Sequence, residues 1–118
     1  MNSFYMTDHL TEDDVCVVSV GGYIDFDVTP GLKKRLVQRI EQGARLILVD
    51  LSDVGFIDST GIGVLVGALK RVREAGGELA VINANENVSS IFGIVGLENV
   101  IPMFGSRADA IAALAQLA

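Results

Sequence analysis

The chain has 118 residues, half of them hydrophobic and 20% charged, with a formal net charge of -6. That length suits one compact domain with its own core, and the apolar share excludes wholesale disorder. The acidic balance disfavours nucleic acid, which needs a basic footprint, and suits a protein partner.

Phe4 to Leu10 reads as an opening strand, followed by an acidic turn at Thr11–Asp14. Val15 to Val20 is β-branched and ends at Gly21-Gly22, which predicts a strand. Gly22 to Asp27 follows as a loop or strand edge. Thr29-Pro30 predicts a helix start, with Thr29 as cap and Pro30 where its missing N–H costs nothing. Leu32, Leu36 and Ile40 form its buried stripe, and Gly43 stops it. Leu46 to Val49 is a continuous apolar run, the pattern of a strand covered on both faces. Asp50 to Ile57 reads as a loop.

Asp58-Ser59-Thr60 predicts the next helix start, with any of the three able to cap. Ile62, Leu65, Leu69 and Val72 mark its buried stripe, while Lys70, Arg71 and Arg73 complement the dipole at its end. After Gly76-Gly77 comes a strand from Leu79 to Ile82. Asn87 opens a short helix with Ile91, Phe92 and Val95, ending near Gly96. Val100 and Ile101 predict a last short strand. Ser106 to Asp109 has capping-box spacing and opens a final helix carrying Ile111, Leu114 and Leu117. Strands alternating with helices predict an α/β fold, a mixed sheet of about four or five strands flanked by about four helices. No repeat, low-complexity tract or linker divides residues 1–118.

Gly, Asp, Lys or Arg interrupts every apolar run before membrane-spanning length, which predicts no membrane segment. Met1–Tyr5 has neither a basic leader nor a long apolar stretch, which predicts no secretory signal. The single cysteine, Cys16, lies in the apolar run Val15–Val18 and reads as a small buried residue. A lone cysteine fits a reducing compartment, so a cytoplasmic location is expected. One His and one Cys make a metal site improbable, and no phosphate loop or dinucleotide fingerprint is present, so no cofactor is expected.

The chemistry concentrates at Asp50–Gly63, where a buried strand feeds a helix N-terminus. In open α/β sheets, ligands and partners bind beyond the carboxyl ends of the strands. Backbone N–H groups at such a terminus can accept a phosphate on Ser59, adding about -1.5 to -2 charge units beside Asp58 and, if the first long strand ends on the same side, Asp25. By pattern alone, Asp58 and Ser59 read first as helix caps and Asp25 as a turn residue. His9 is the only histidine, so a hydrolase reading would require a Ser59–His9 dyad; no G-x-S-x-G elbow surrounds Ser59.

Phe56-Ile57-Asp58-Ser59-Thr60-Gly61-Ile62-Gly63 resembles the STAS domain family, specifically the bacterial anti-sigma factor antagonists. Gly22-Tyr23-Ile24-Asp25, Gly76-Gly77-Glu78-Leu79 and Ile91–Leu97 are similar to further family segments in the same order, so the resemblance covers roughly residues 15–117. It implies a regulator that is a kinase substrate and not itself an enzyme. The unphosphorylated form would bind an anti-sigma factor serine kinase and release a sigma factor. Phosphorylation of Ser59 would end binding, and a serine phosphatase would restore it. Asp25 and Asp58 would support the phosphosite, with Phe26, Thr60, Gly61 and Ile62 at the partner surface. The protein would be a monomer or weak dimer, with no nucleic acid or membrane partner. Tyr23 stands where the family is commonly acidic, and Phe26-Asp27 replaces a common polar pair. The alternative is a non-switching STAS scaffold or transporter-associated subunit.

Overall fold

The computed structural model describes residues 2–83 and 85–117. In chain order its elements are β1 (Tyr5–Leu10), β2 (Val15–Ile24), α1 (Thr29–Glu41), β3 (Leu46–Ile57), α2 (Ser59–Glu74), β4 (Glu78–Ile82), α3 (Glu86–Ile94), a 3-10 turn (Leu97–Asn99), β5 (Met103–Phe104) and α4 (Arg107–Ala115). β1 folds back antiparallel on β2, and β2 to β5 run parallel, in the order β1-β2-β3-β4-β5. This is the expected α/β architecture, a mixed five-stranded sheet with helices on it.

The strand order decides where each helix packs. Crossovers between parallel strands are right-handed. Because each new parallel strand joins the same side, α1, α2 and α3 all fall on one face. There Leu32, Leu36, Leu65, Leu69 and Phe92 meet Val18, Ile47, Val49 and Val81. α4 follows the last strand and covers the other face, with Ala110 and Leu114 over Val17, Leu48, Ala80 and Ile82. Successive residues of one strand thus enter two cores, which is why these strands read as unbroken apolar runs. Cys16 is buried in the first core, as expected.

Several boundaries differ from the sequence expectation. β2 continues through Ile24, and β3 does not stop at Val49 but runs beside it to Ile57. The β3 strand carries an extra residue between the pairs Ser19–Asp50 and Gly21–Asp53, and again between Gly22–Val54 and Tyr23–Phe56. These bulges bury Leu51, Val54 and Ile57, every third residue, and so erase the period-two signal of a strand. Thr29 is not the α1 cap. It is the first helical residue, buried, and its hydroxyl donates to the Phe26 carbonyl at 3.2 Å. The Asp25 carbonyl instead accepts the Val28 and Thr29 N–H groups, each at 3.1 Å. α3 is capped by Asn85, whose Oδ1 accepts from the Asn87 N–H at 2.8 Å.

The last strand is Met103–Phe104, paired with Val81 and Ile82. Ile101 is buried nearby, while Val100 closes the 3-10 turn and is exposed. Ser106 caps α4 through the Asp109 N–H at 3.2 Å, as its spacing predicts. Leu117 and Val95 were expected on buried stripes; both lie past the ends of their helices and are exposed. Ile62 is only half-buried.

Candidate functional site

Ile24 and Ile57 are register partners at the ends of β2 and β3. Asp25 and Asp58 each follow one of them, so the two residues stand at the adjoining ends of the strands. The Asp58 N–H donates to the Ile24 carbonyl at 3.0 Å and ties the two strand ends together. Asp25 shapes its own loop: its Oδ1 accepts the Asp27 N–H at 3.0 Å, and its carbonyl starts α1.

Of the three candidate caps, Asp58 holds the position. Its Oδ1 accepts the Thr60 N–H at 2.9 Å, the Gly61 N–H at 3.0 Å and the Thr60 hydroxyl at 2.6 Å. The Thr60 hydroxyl, with backbone N–H groups of Gly61, Thr60 and Phe26, outweighs desolvation and holds the Asp58 carboxyl below its ordinary range. Ser59 is therefore free of capping duty. It is the first residue of α2 and is exposed, at the positive end of a 16-residue helix.

Gly61 completes the turn. A Cβ there would come within 2.6 Å of Ile24 Cγ2 and 2.7 Å of Ile57 Cγ1. The absence of a side chain lets the first turn of α2 sit directly on the two strand ends. Phe26, 68% exposed, stands out from the loop beside Asp25. The structure thus gathers Asp25, Phe26, Asp58, Ser59, Thr60 and Gly61 at one end of the sheet, with Ile62 just behind them.

His9 is not among them. It pairs with Val17, seven residues down β2 from Ile24, roughly 23 Å at the usual strand rise. No Ser59–His9 dyad forms. Among the described residues no group of three or more His, Cys, Asp or Glu is placed to hold a metal, and no helix is long and apolar enough to cross a membrane.

One part of the surface was not foreseen. Tyr23 and Phe56 are cross-strand neighbours whose rings meet edge to face, with centroids 6.2 Å apart, and both are exposed. Asn2 fixes Tyr23 from outside: its amide donates to the Tyr23 carbonyl at 2.6 Å and accepts the Tyr23 N–H at 2.9 Å. Tyr23 was noticed in the sequence only as a departure from an acidic position. Phe56 was hidden by the reading of its segment as a loop.

The STAS domain family profile matches residues 8–110. The chain belongs to the STAS domain family. An anti-sigma-B factor antagonist of Bacillus subtilis (strain 168) is 42% identical to it over 90 residues, 76% of this chain and 81% of that protein. The crystal structure of an anti-sigma factor antagonist from Mycobacterium paratuberculosis superposes with a TM-score of 0.87 at 24% identity, covering 95% of this chain and 94% of that one. The antagonist SpoIIAA in its unphosphorylated form gives 0.79 at 20% identity, covering 92% and 95%. The phosphorylated form of the Bacillus protein gives 0.71 at 19%, covering 92% and 98%.

Proposed function

We propose that the protein is an anti-sigma factor antagonist switched at Ser59. The unphosphorylated chain binds an anti-sigma factor serine kinase and so frees a sigma factor. The kinase phosphorylates Ser59 and lets go, and a serine phosphatase resets the switch. The observation that carries this reading is the position of Ser59: exposed at the start of α2 and relieved of capping by Asp58. The names of the relatives support the antagonist role, and the existence of SpoIIAA in both forms supports the switch.

The physics of the switch is local. The positive end of the α2 dipole favours a phosphate at Ser59, while Asp58 keeps the Thr60 and Gly61 N–H groups for the cap. The phosphate brings about -1.5 to -2 charge units to a surface that already holds two carboxylates. A partner fitted to the unmodified surface then meets repulsion and an added desolvation cost. Phe26, with the Tyr23–Phe56 pair further along the strands, offers that partner exposed aromatic anchors of the kind that dominate interface energies.

The test is intact-mass spectrometry after incubation with ATP and the candidate kinase from the same genome, with Ser59→Ala alongside. One phosphate gained by the unaltered chain only is the expected result. No gain with any such kinase overturns the switch and leaves a non-switching scaffold or transporter-associated subunit.

A further inference from the structure

Between α1 and α2 runs a groove of about 260 Å³, with Lys33, Val37, Gly63, Val64, Gly67 and Arg71 in its lining. That is below the roughly 300–1,000 Å³ usual for small-molecule sites, and suits a ridge of side chains better than a metabolite. Gly63 and Gly67 lie four apart on the exposed side of α2. A Cβ at either would meet nothing within 4 Å, and neither has a left-handed backbone. Glycine inside a helix weakens it. At Gly61 close packing offsets that cost; at Gly63 and Gly67 no contact among the described residues does. A helix lacking side chains at i and i+4 presents a trough into which the ridge of another helix can sink.

Charge says which kind of helix. Seven of the nine lysines and arginines lie on these two elements: Lys33, Lys34, Arg35 and Arg39 on α1, and Lys70, Arg71 and Arg73 on α2. Arg35 and Arg39 pair with Asp8, and Arg73 pairs with Glu78. Lys33, Lys34, Lys70 and Arg71 join no ion pair among the described residues. A chain of net charge -6 thus keeps four such cations on the two helices that wall the groove, while Arg45, the other one outside an ion pair among the described residues, donates to the Ile40 and Ala44 carbonyls. We propose that the α1–α2 groove docks an acidic amphipathic helix of a protein partner, its apolar ridge over Gly63 and Gly67 and its carboxylates facing Lys33 and Arg71.

One end of the groove reaches Thr60, next to Ser59, but the test needs neither kinase nor ATP. The isotope-labelled full chain is titrated, with amide NMR as the readout, against a synthetic amphipathic peptide with leucines at i, i+3, i+4 and i+7 and glutamates elsewhere. A second peptide carries lysines in place of the glutamates. Vesicles of mixed phosphatidylcholine and phosphatidylglycerol form a third arm. The glutamate peptide should shift the amides of Val37, Gly63, Val64 and Gly67, bind about tenfold or more tightly than the lysine peptide, and weaken as salt is raised. Gly63→Leu, at a position where a Cβ meets nothing within 4 Å, should abolish the shifts while the rest of the spectrum stays folded. Lys33→Glu with Arg71→Glu should reverse the preference. Equal response to both peptides, shifts centred elsewhere, or a response to vesicles but not to peptide each overturns the proposal.

Discussion

Asp58 does two jobs at one residue. It caps α2, and in doing so keeps Ser59 available. Asp58→Ala should cost about 1 kcal/mol of stability, read as a lower urea midpoint, because the Thr60 and Gly61 N–H groups lose their acceptor. Ser59→Ala should leave that midpoint near the original, since Ser59 is not the cap. On the function proposed, Ser59→Ala should keep binding of the cognate kinase, while Ser59→Asp should weaken it about tenfold or more by titration calorimetry. Equal affinity for Ser59→Asp would sink the switch. Residues also set the acid response. Arg39, with Arg35 and against the opposing effect of burial, holds the Asp8 carboxyl below its ordinary range, as Thr60 does for Asp58. A depressed folded-state value stabilises fully above the unfolded value of about 3.9 and is lost as pH falls through the folded one. Urea midpoints should therefore fall between pH ~5 and pH ~2. Asp8→Asn should flatten part of that fall.

At the scale of elements, α2 carries glycines of opposite meaning. Gly61→Ala forces a Cβ against Ile24 and Ile57 and should destabilise by about 1–3 kcal/mol, as overpacking does. Gly63→Ala meets open space and should stabilise the helix by about 0.5–1 kcal/mol. Paired urea titrations of the two variants check both signs. The helices were legible because their stripes repeat at the helical period: Leu32, Leu36, Ile40 and Leu65, Leu69, Val72 are all buried where expected. The second half of β3 was not legible. Its bulges impose a spacing of three on Leu51, Val54 and Ile57, and three of the four residues between them, Ser52, Asp53 and Gly55, are the vocabulary of a turn. The start of α1 and that of α3 were each misplaced slightly: Val28, not Thr29, is the α1 cap, and α3 begins at Glu86 behind an Asn85 cap rather than at Asn87.

Across the whole molecule, the alternation of strands and helices was enough to give the α/β class, and Asp58-Ser59 was enough to locate the start of α2. What sequence could not give was adjacency between segments far apart in the chain. The meeting of Asp25 with Asp58 depends on β2 and β3 ending together, and the α1–α2 groove depends on both helices falling on one face. Both follow from the strand order.

That order has a consequence for how the molecule is made. Every strand pairs with the one synthesised just before it, so the ladder can be laid down as the chain emerges, each unit docking on an edge already built. The face covered by α4 is the exception. Until Ala110 and Leu114 arrive, Val15, Val17, Leu46, Leu48, Ala80 and Ile82 form an apolar surface with no cover. A nascent chain halted before Arg107 would carry a finished sheet with one greasy side, the kind of species that aggregates or recruits a chaperone.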